Sequence, residues 1–87
     1  MNYLHYDLNL GSNDVVVVSL DKQANVQLMD DTNFSNYKRG QRFTYYGGLF
    51  KTSPARLRPP HAGHWHLAID LGGYSGTVRA SVNVLQE

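Results

Sequence analysis

From Tyr3 to Leu10 the chain alternates: Leu4, Tyr6, Leu8 and Leu10 fall on one side of an extended backbone, with Tyr3, His5 and Asp7 on the other. The same period of two returns in His64 to Leu71, where Trp65, Leu67, Ile69 and Leu71 oppose His64, His66, Ala68 and Asp70. It returns again in Thr77 to Leu85, which sets Val78, Ala80, Val82 and Val84 against Arg79, Ser81 and Asn83. Each segment predicts a strand with one apolar face. Val15 to Leu20 is almost wholly β-branched and apolar, which suits a central strand enclosed on both faces or a strand carrying a bulge. Asn25 to Asp30 alternates Val26 and Leu28 with Gln27 and Met29, the methionine being read as apolar cover. Arg42 to Phe50 pairs Phe43 with Tyr45 and Thr44 with Tyr46, placing Tyr45 in the core and Tyr46 on display, with Gly47 and Gly48 bending the strand. Pro54, Pro59 and Pro60 bracket Ala55 to Arg58 and leave room there only for a short edge strand.

Between these segments lie turn residues. Gly11 to Asp14 and Asp21 to Asn25 are polar connections, and Leu71 to Gly76 is glycine-rich, which predicts a C-terminal hairpin of the last two strands. Asp31 to Gly40 differs: Phe34 and Tyr37 stand three apart, the spacing of one helical turn, with Asp31 or Thr32 able to cap it and Gly40 able to end it, and an irregular loop pinned by the two rings is the equal alternative. The expected architecture is therefore all-β, an antiparallel β-sandwich with at most one short helix. Jelly-roll topology is one possible connectivity and a small closed barrel is the alternative fold. Periodicity leaves the strand order open, including whether residues 1–10 pair with residues 15–20 or with the last strand.

Length limits the answer: 87 residues support one domain, spanning 1–87, and a single modest core. There is no cysteine, so neither a disulfide nor a thiolate metal site can add stability, and no thiol nucleophile exists. With 41% hydrophobic and 17% charged residues, the composition is that of a folded chain. The start, MNYLHYDLNL, lacks the basic and apolar regions of a secretory signal, and the longest apolar run, Val15 to Val18, is too short to cross a bilayer. A cytoplasmic location and no membrane association are expected.

The net charge of +1 hides an uneven distribution. Before Tyr37, Lys22 stands against Asp7, Asp14, Asp21, Asp30 and Asp31; the middle then carries Lys38, Arg39, Arg42, Lys51, Arg56 and Arg58 with no acid. Beside this basic stretch, Tyr37 and Tyr46 make an aromatic and basic contact surface with Lys38, Arg39 and Arg42, and Tyr74 in its glycine-rich turn adds a further recognition residue. A single-stranded nucleic-acid groove would need several rings on one face, so nucleic acid is disfavoured as a partner.

Catalytic signals are missing: no nucleophile elbow, zincin helix or phosphate-binding glycine loop occurs, and no catalytic residue is assigned. His61, His64 and His66 form a weak candidate metal set, since His64 and His66 share a strand face, but two imidazoles and an uncertain third do not complete a site. Histidines resting on a sheet are the simpler reading, with no metal and no cofactor expected. Trp65 is read as core, its indole needing a hydrogen-bond acceptor.

Asn33 to Tyr37, Tyr45 to Gly48, and Gly63 to His66 running on through Asp70 to Tyr74 occur here together. In these motifs the whole chain resembles the DUF1883 family, a group of small, mostly bacterial β-rich domains of unknown function, found alone and beside TIR domains in longer proteins. The resemblance implies a sandwich fold and an accessory or recognition role, with no catalytic mechanism to carry over. Function is accordingly expected to be a noncatalytic protein-interaction or accessory module, acting on a protein partner or a second copy of itself. A small-ligand or carbohydrate-binding module is the alternative.

Overall fold

The alternating segments become strands of two facing sheets. The computed structural model describes residues 3–86. Along them run β1 (Tyr3–Leu10), β2 (Asp14–Leu20), β3 (Ala24–Met29), α1 (Asp31–Lys38), β4 (Tyr46–Phe50), β5 (Ala55–Leu57), β6 (Gly63–Asp70) and β7 (Ala80–Gln86). One sheet has the order β1-β6-β3-β4 and the other β5-β2-β7, with all pairings antiparallel. The fold is an all-β sandwich with one short helix, and the sheets do not close into a barrel.

Leu4, Tyr6 and Leu8 from β1, Val26 and Leu28 from β3 and Trp65, Leu67 and Ile69 from β6 pack across the gap onto Val16 and Val18 of β2 and Val82 of β7. Alternation holds because antiparallel partners share a face: Tyr6, Leu67 and Leu28 lie in one row across the sheet and Leu4, Ile69 and Val26 in the next. β2 is the central strand of its sheet, as its β-branched run implies.

The opposite face of the larger sheet is roofed by α1. Phe34 and Tyr37 point down onto Met29 and Ala68 and build a second small core with Tyr3 and Phe43. This explains why His66, Ala68 and Asp70, on the polar side of their strand's alternation, are buried. The N-cap is Asp30, one residue earlier than expected, whose Oδ1 accepts from Asn33 N at 2.9 Å. At the other end Gly40 takes φ +71°, Gly40 N donates to Tyr37 O and Gln41 N donates to Asn36 O, closing the helix in a Schellman turn.

Three expectations need correction. The last two strands do not form a hairpin: β6 already has β1 on one edge and β3 on the other, so no ladder is left for β7. Residues 71–79 instead carry the chain over to the second sheet, where β7 pairs with β2. β1 pairs with neither of the strands weighed for it but with β6, from Tyr3 opposite Asp70 to Leu10 opposite Gly63. Tyr45 also leaves its assigned place in the core: it is 42% exposed and tilts against Phe43 outside β4, whereas Tyr46 is on display as expected, 46% exposed, with its ring edge-on to Trp65 at 6.0 Å. β4 starts only at Tyr46 because the segment before it is held elsewhere, Thr44 N donating to Asn33 Oδ1 at 2.7 Å.

Candidate metal centre

The register of β1 on β6 brings polar residues together that stand far apart in the chain. On the roofed face, Asp7 lies opposite His66, with His5 and His64 one alternation away along their own strands. The first residue of α1, Asp31, reaches over the same point. The five side chains form a continuous sequence of contacts. Asp7 Oδ1 meets His64 Nε2; His64 Nδ1 lies 2.8 Å from Asp31 Oδ1; His66 Nε2 lies 2.6 Å from the same oxygen; and His66 Nδ1 lies 2.9 Å from His5 Nε2.

Proton positions follow from the partners. Both nitrogens of His64 face carboxylates, which favours its doubly protonated form, and the hydrogen bond to Asp7 leads the causes that hold its pKa above the usual histidine range. His66 donates from Nε2 to Asp31, which leaves its Nδ1 to accept from His5 Nε2. Hydrogen bonds from His64 and His66, respectively, hold the Asp7 and Asp31 carboxyls below the usual carboxylate range. Desolvation, followed by repulsion from His66, lowers the pKa of His5.

Phe34 fixes the rings. It stacks on His66 at 4.4 Å and 9°, and on His5 at 4.2 Å and 21°. Stacking covers the ring faces and leaves the edges, where the nitrogens sit, directed at the donors. The His66 side chain is 10% exposed whereas that of Asp31 is 68% exposed, so the cluster has a fixed floor and an open outer side.

Among the described residues the donors fall into two triads, His5–Asp7–His66 and Asp31–His64–His66, each with its ligand atoms within 4.8 Å of one another. Both are two imidazoles and a carboxylate. Metal bonds of about 2.0–2.2 Å in a tetrahedral array put ligand atoms roughly 3.3 Å apart, so the observed contacts need to open only slightly to admit an ion.

Of the histidine set expected from sequence, His64 and His66 lie here and His61 does not. Its ring packs on Trp65 at 5.0 Å, and its backbone oxygen accepts the indole N–H at 3.1 Å. His5, Asp7 and Asp31 take its place. The aromatic and basic set is dispersed. Tyr37 is interior rather than on a contact surface, donating from its hydroxyl to Asp70 Oδ2 at 2.6 Å; burial, then Asp70, pushes its pKa far up. Lys38 lies 4.8 Å above the Phe34 ring and Arg39 donates to Ser35 Oγ at 2.9 Å. Arg42 and Tyr46 are exposed around the start of β4. Tyr74, 83% exposed, borders a cleft of about 520 Å³ with Tyr3, Leu4, Leu71 and Val78.

No described helix is long and apolar enough to cross a membrane. A family model described as "Domain of unknown function (DUF1883)" matches residues 1–87. No curated protein and no solved structure matches the chain.

Proposed function

The chain belongs to the DUF1883 family, whose description assigns no activity, and we propose that it is a binding module for a divalent transition-metal ion held by Asp31, His64 and His66. One observation carries this reading: a ring nitrogen from each histidine converges on Asp31 Oδ1, at 2.6 and 2.8 Å. Sequence favoured no metal because one strand offered only two imidazoles on a face; the donors added by β1 and α1 change that balance. Imidazole and carboxylate without thiolate suit zinc, nickel or copper(II) better than magnesium or calcium. Without an ion the carboxylates bind protonated His64, so metal uptake exchanges protons for a cation. The exposed side of Asp31 leaves room for water or an external donor to complete the coordination.

Zinc titration of protein carrying no histidine tag tests the reading. Retention of zinc after gel filtration is expected, with a melting temperature that rises with free zinc as about 2.7 kcal/mol of added stability at a hundredfold excess over Kd. Asp31→Asn and His64→Gln should each weaken zinc binding at least tenfold. Absence of bound zinc together with an unmoved melting temperature would sink it.

A second reading, protein contact, is favoured by the edge position of β4, where Tyr46 and Leu49 are 46% and 55% exposed, with Tyr45 just before the strand 42% exposed. An exposed strand edge with apolar side chains is a template for pairing with another strand, here one from a second copy. Sedimentation equilibrium should then show a dimer that Leu49→Lys dissociates; a monomer at all concentrations counts against it.

A further inference from the structure

We infer that the cluster takes two ions rather than one, with the His66 ring bridging them as an imidazolate; this deepens the metal-binding reading above and rests on it. The two triads share a single residue, His66. Its two nitrogens leave the ring in different directions, and each already faces a different triad. Nε2 lies 2.6 Å from Asp31, and Nδ1 lies 2.9 Å from His5 Nε2; Asp7 completes the triad with His5 and His66. An ion seated at Nε2 between Asp31 and His64 is therefore separated by the imidazole from the His5 nitrogen. The second set of donors, His5 and Asp7, is left to a second ion at Nδ1.

The ring is held for this role. Its side chain is 90% buried, a near-parallel Phe34 covers one face, and cross-strand pairing with Asp7 fixes its position along β6. Each nitrogen edge already meets a ligand atom, Asp31 Oδ1 at Nε2 and His5 Nε2 at Nδ1.

Proton balance is simple. The first ion displaces one proton from His64 to solvent and takes over His66 Nε2; the ring proton of His66 moves to Nδ1, and His5, which had donated from Nε2, shifts its own proton to its Nδ1 so that Nε2 becomes the acceptor. The second ion replaces the His66 Nδ1 proton, which leaves to solvent, and no electron is transferred. Two dications on one ring offset the negative charge that the imidazolate acquires, as a metal does for a bound thiol or water. The carboxylates of Asp7 and Asp31 each neutralise part of one ion's charge.

Copper(II) is the probe, because two copper ions joined by imidazolate couple antiferromagnetically. Chain without a histidine tag would be titrated at about pH 8, where proton competition is weak, with bound copper measured by equilibrium dialysis and spin by electron paramagnetic resonance. The expected result is two copper ions per chain, with signal intensity rising through the first equivalent and falling through the second to well below one spin. His5→Gln and, independently, Asp7→Asn should reduce binding to one copper with a full single-spin signal. Two coppers giving two independent spins, or a second copper that survives both substitutions, would overturn the bridge. One copper lost on Asp31→Asn would overturn the second ion and leave the single-ion function standing. No bound copper would overturn both.

Discussion

Trp65→Ala should lower the unfolding free energy by about 3–5 kcal/mol, the range for removing a large buried ring. Trp65 is 2% exposed and belongs to the core between the sheets. Tyr46 meets it edge-on, the His61 ring lies against it at 5.0 Å, and the indole N–H donates to His61 O at 3.1 Å. Truncation leaves a cavity at the centre of a small core and strands that carbonyl as well. As it removes the protein's one tryptophan, urea unfolding should be followed by circular dichroism. Trp65→Phe should recover most of the loss, retaining ring volume but lacking the donor. A midpoint unchanged by Trp65→Ala would contradict the placement of this ring.

Gly47→Ala is expected to be nearly as damaging, for a backbone reason. A Cβ at this position would sit 2.1 Å from Val26 O and 3.2 Å from Leu57 Cδ2, at a φ of +124° that other residues rarely adopt. The nearer obstacle is main chain, so rotamer changes cannot relieve it; β4 has to move away from β3 or leave the sheet. The cost should reach about 3 kcal/mol, the upper end for local backbone strain. Gly48→Ala is the control. Its φ is also positive, at +147°, but an added Cβ meets nothing within 4 Å, so it should cost clearly less. Denaturation midpoints for the pair, with amide exchange of β4, would measure the difference. Equal effects would show that conformational strain, and not collision with Val26, sets the requirement for glycine.

The strands themselves were legible because alternation directly reports which side chains share a face. Leu4, Tyr6, Leu8 and Leu10 point inward as their spacing predicts, as do Trp65, Leu67 and Ile69. The helical turn was legible from Phe34 and Tyr37, although that pair alone did not reveal that both rings would be buried. Pairing was not legible, since period two is the same whichever neighbour a strand takes. The candidate site depended entirely on pairing: His5 and His66 are sixty-one positions apart, and only the β1–β6 register joins them. Both polar faces were visible as such. Their meeting beneath α1 was not, and His61, nearest in sequence, was drawn into the set in place of His5, Asp7 and Asp31. Tyr37 was misplaced for a related reason: its partner, Asp70, lies on a strand face that reads as solvent-facing until a helix covers it.

Asp70 receives three donors from separate parts of the fold: the Tyr37 hydroxyl, Asn25 Nδ2 at 2.9 Å and Gly72 N at 2.8 Å. Asp31 fastens the opposite end of the same helix to His64 and His66. The roof is thus moored at bow and stern, each time through a carboxylate, its own Asp31 at one end and the sheet's Asp70 at the other. Thr32, Lys38 and Arg39, exposed on the outward surface of the helix, are where the domain can vary its coat while the anchorage beneath stays fixed.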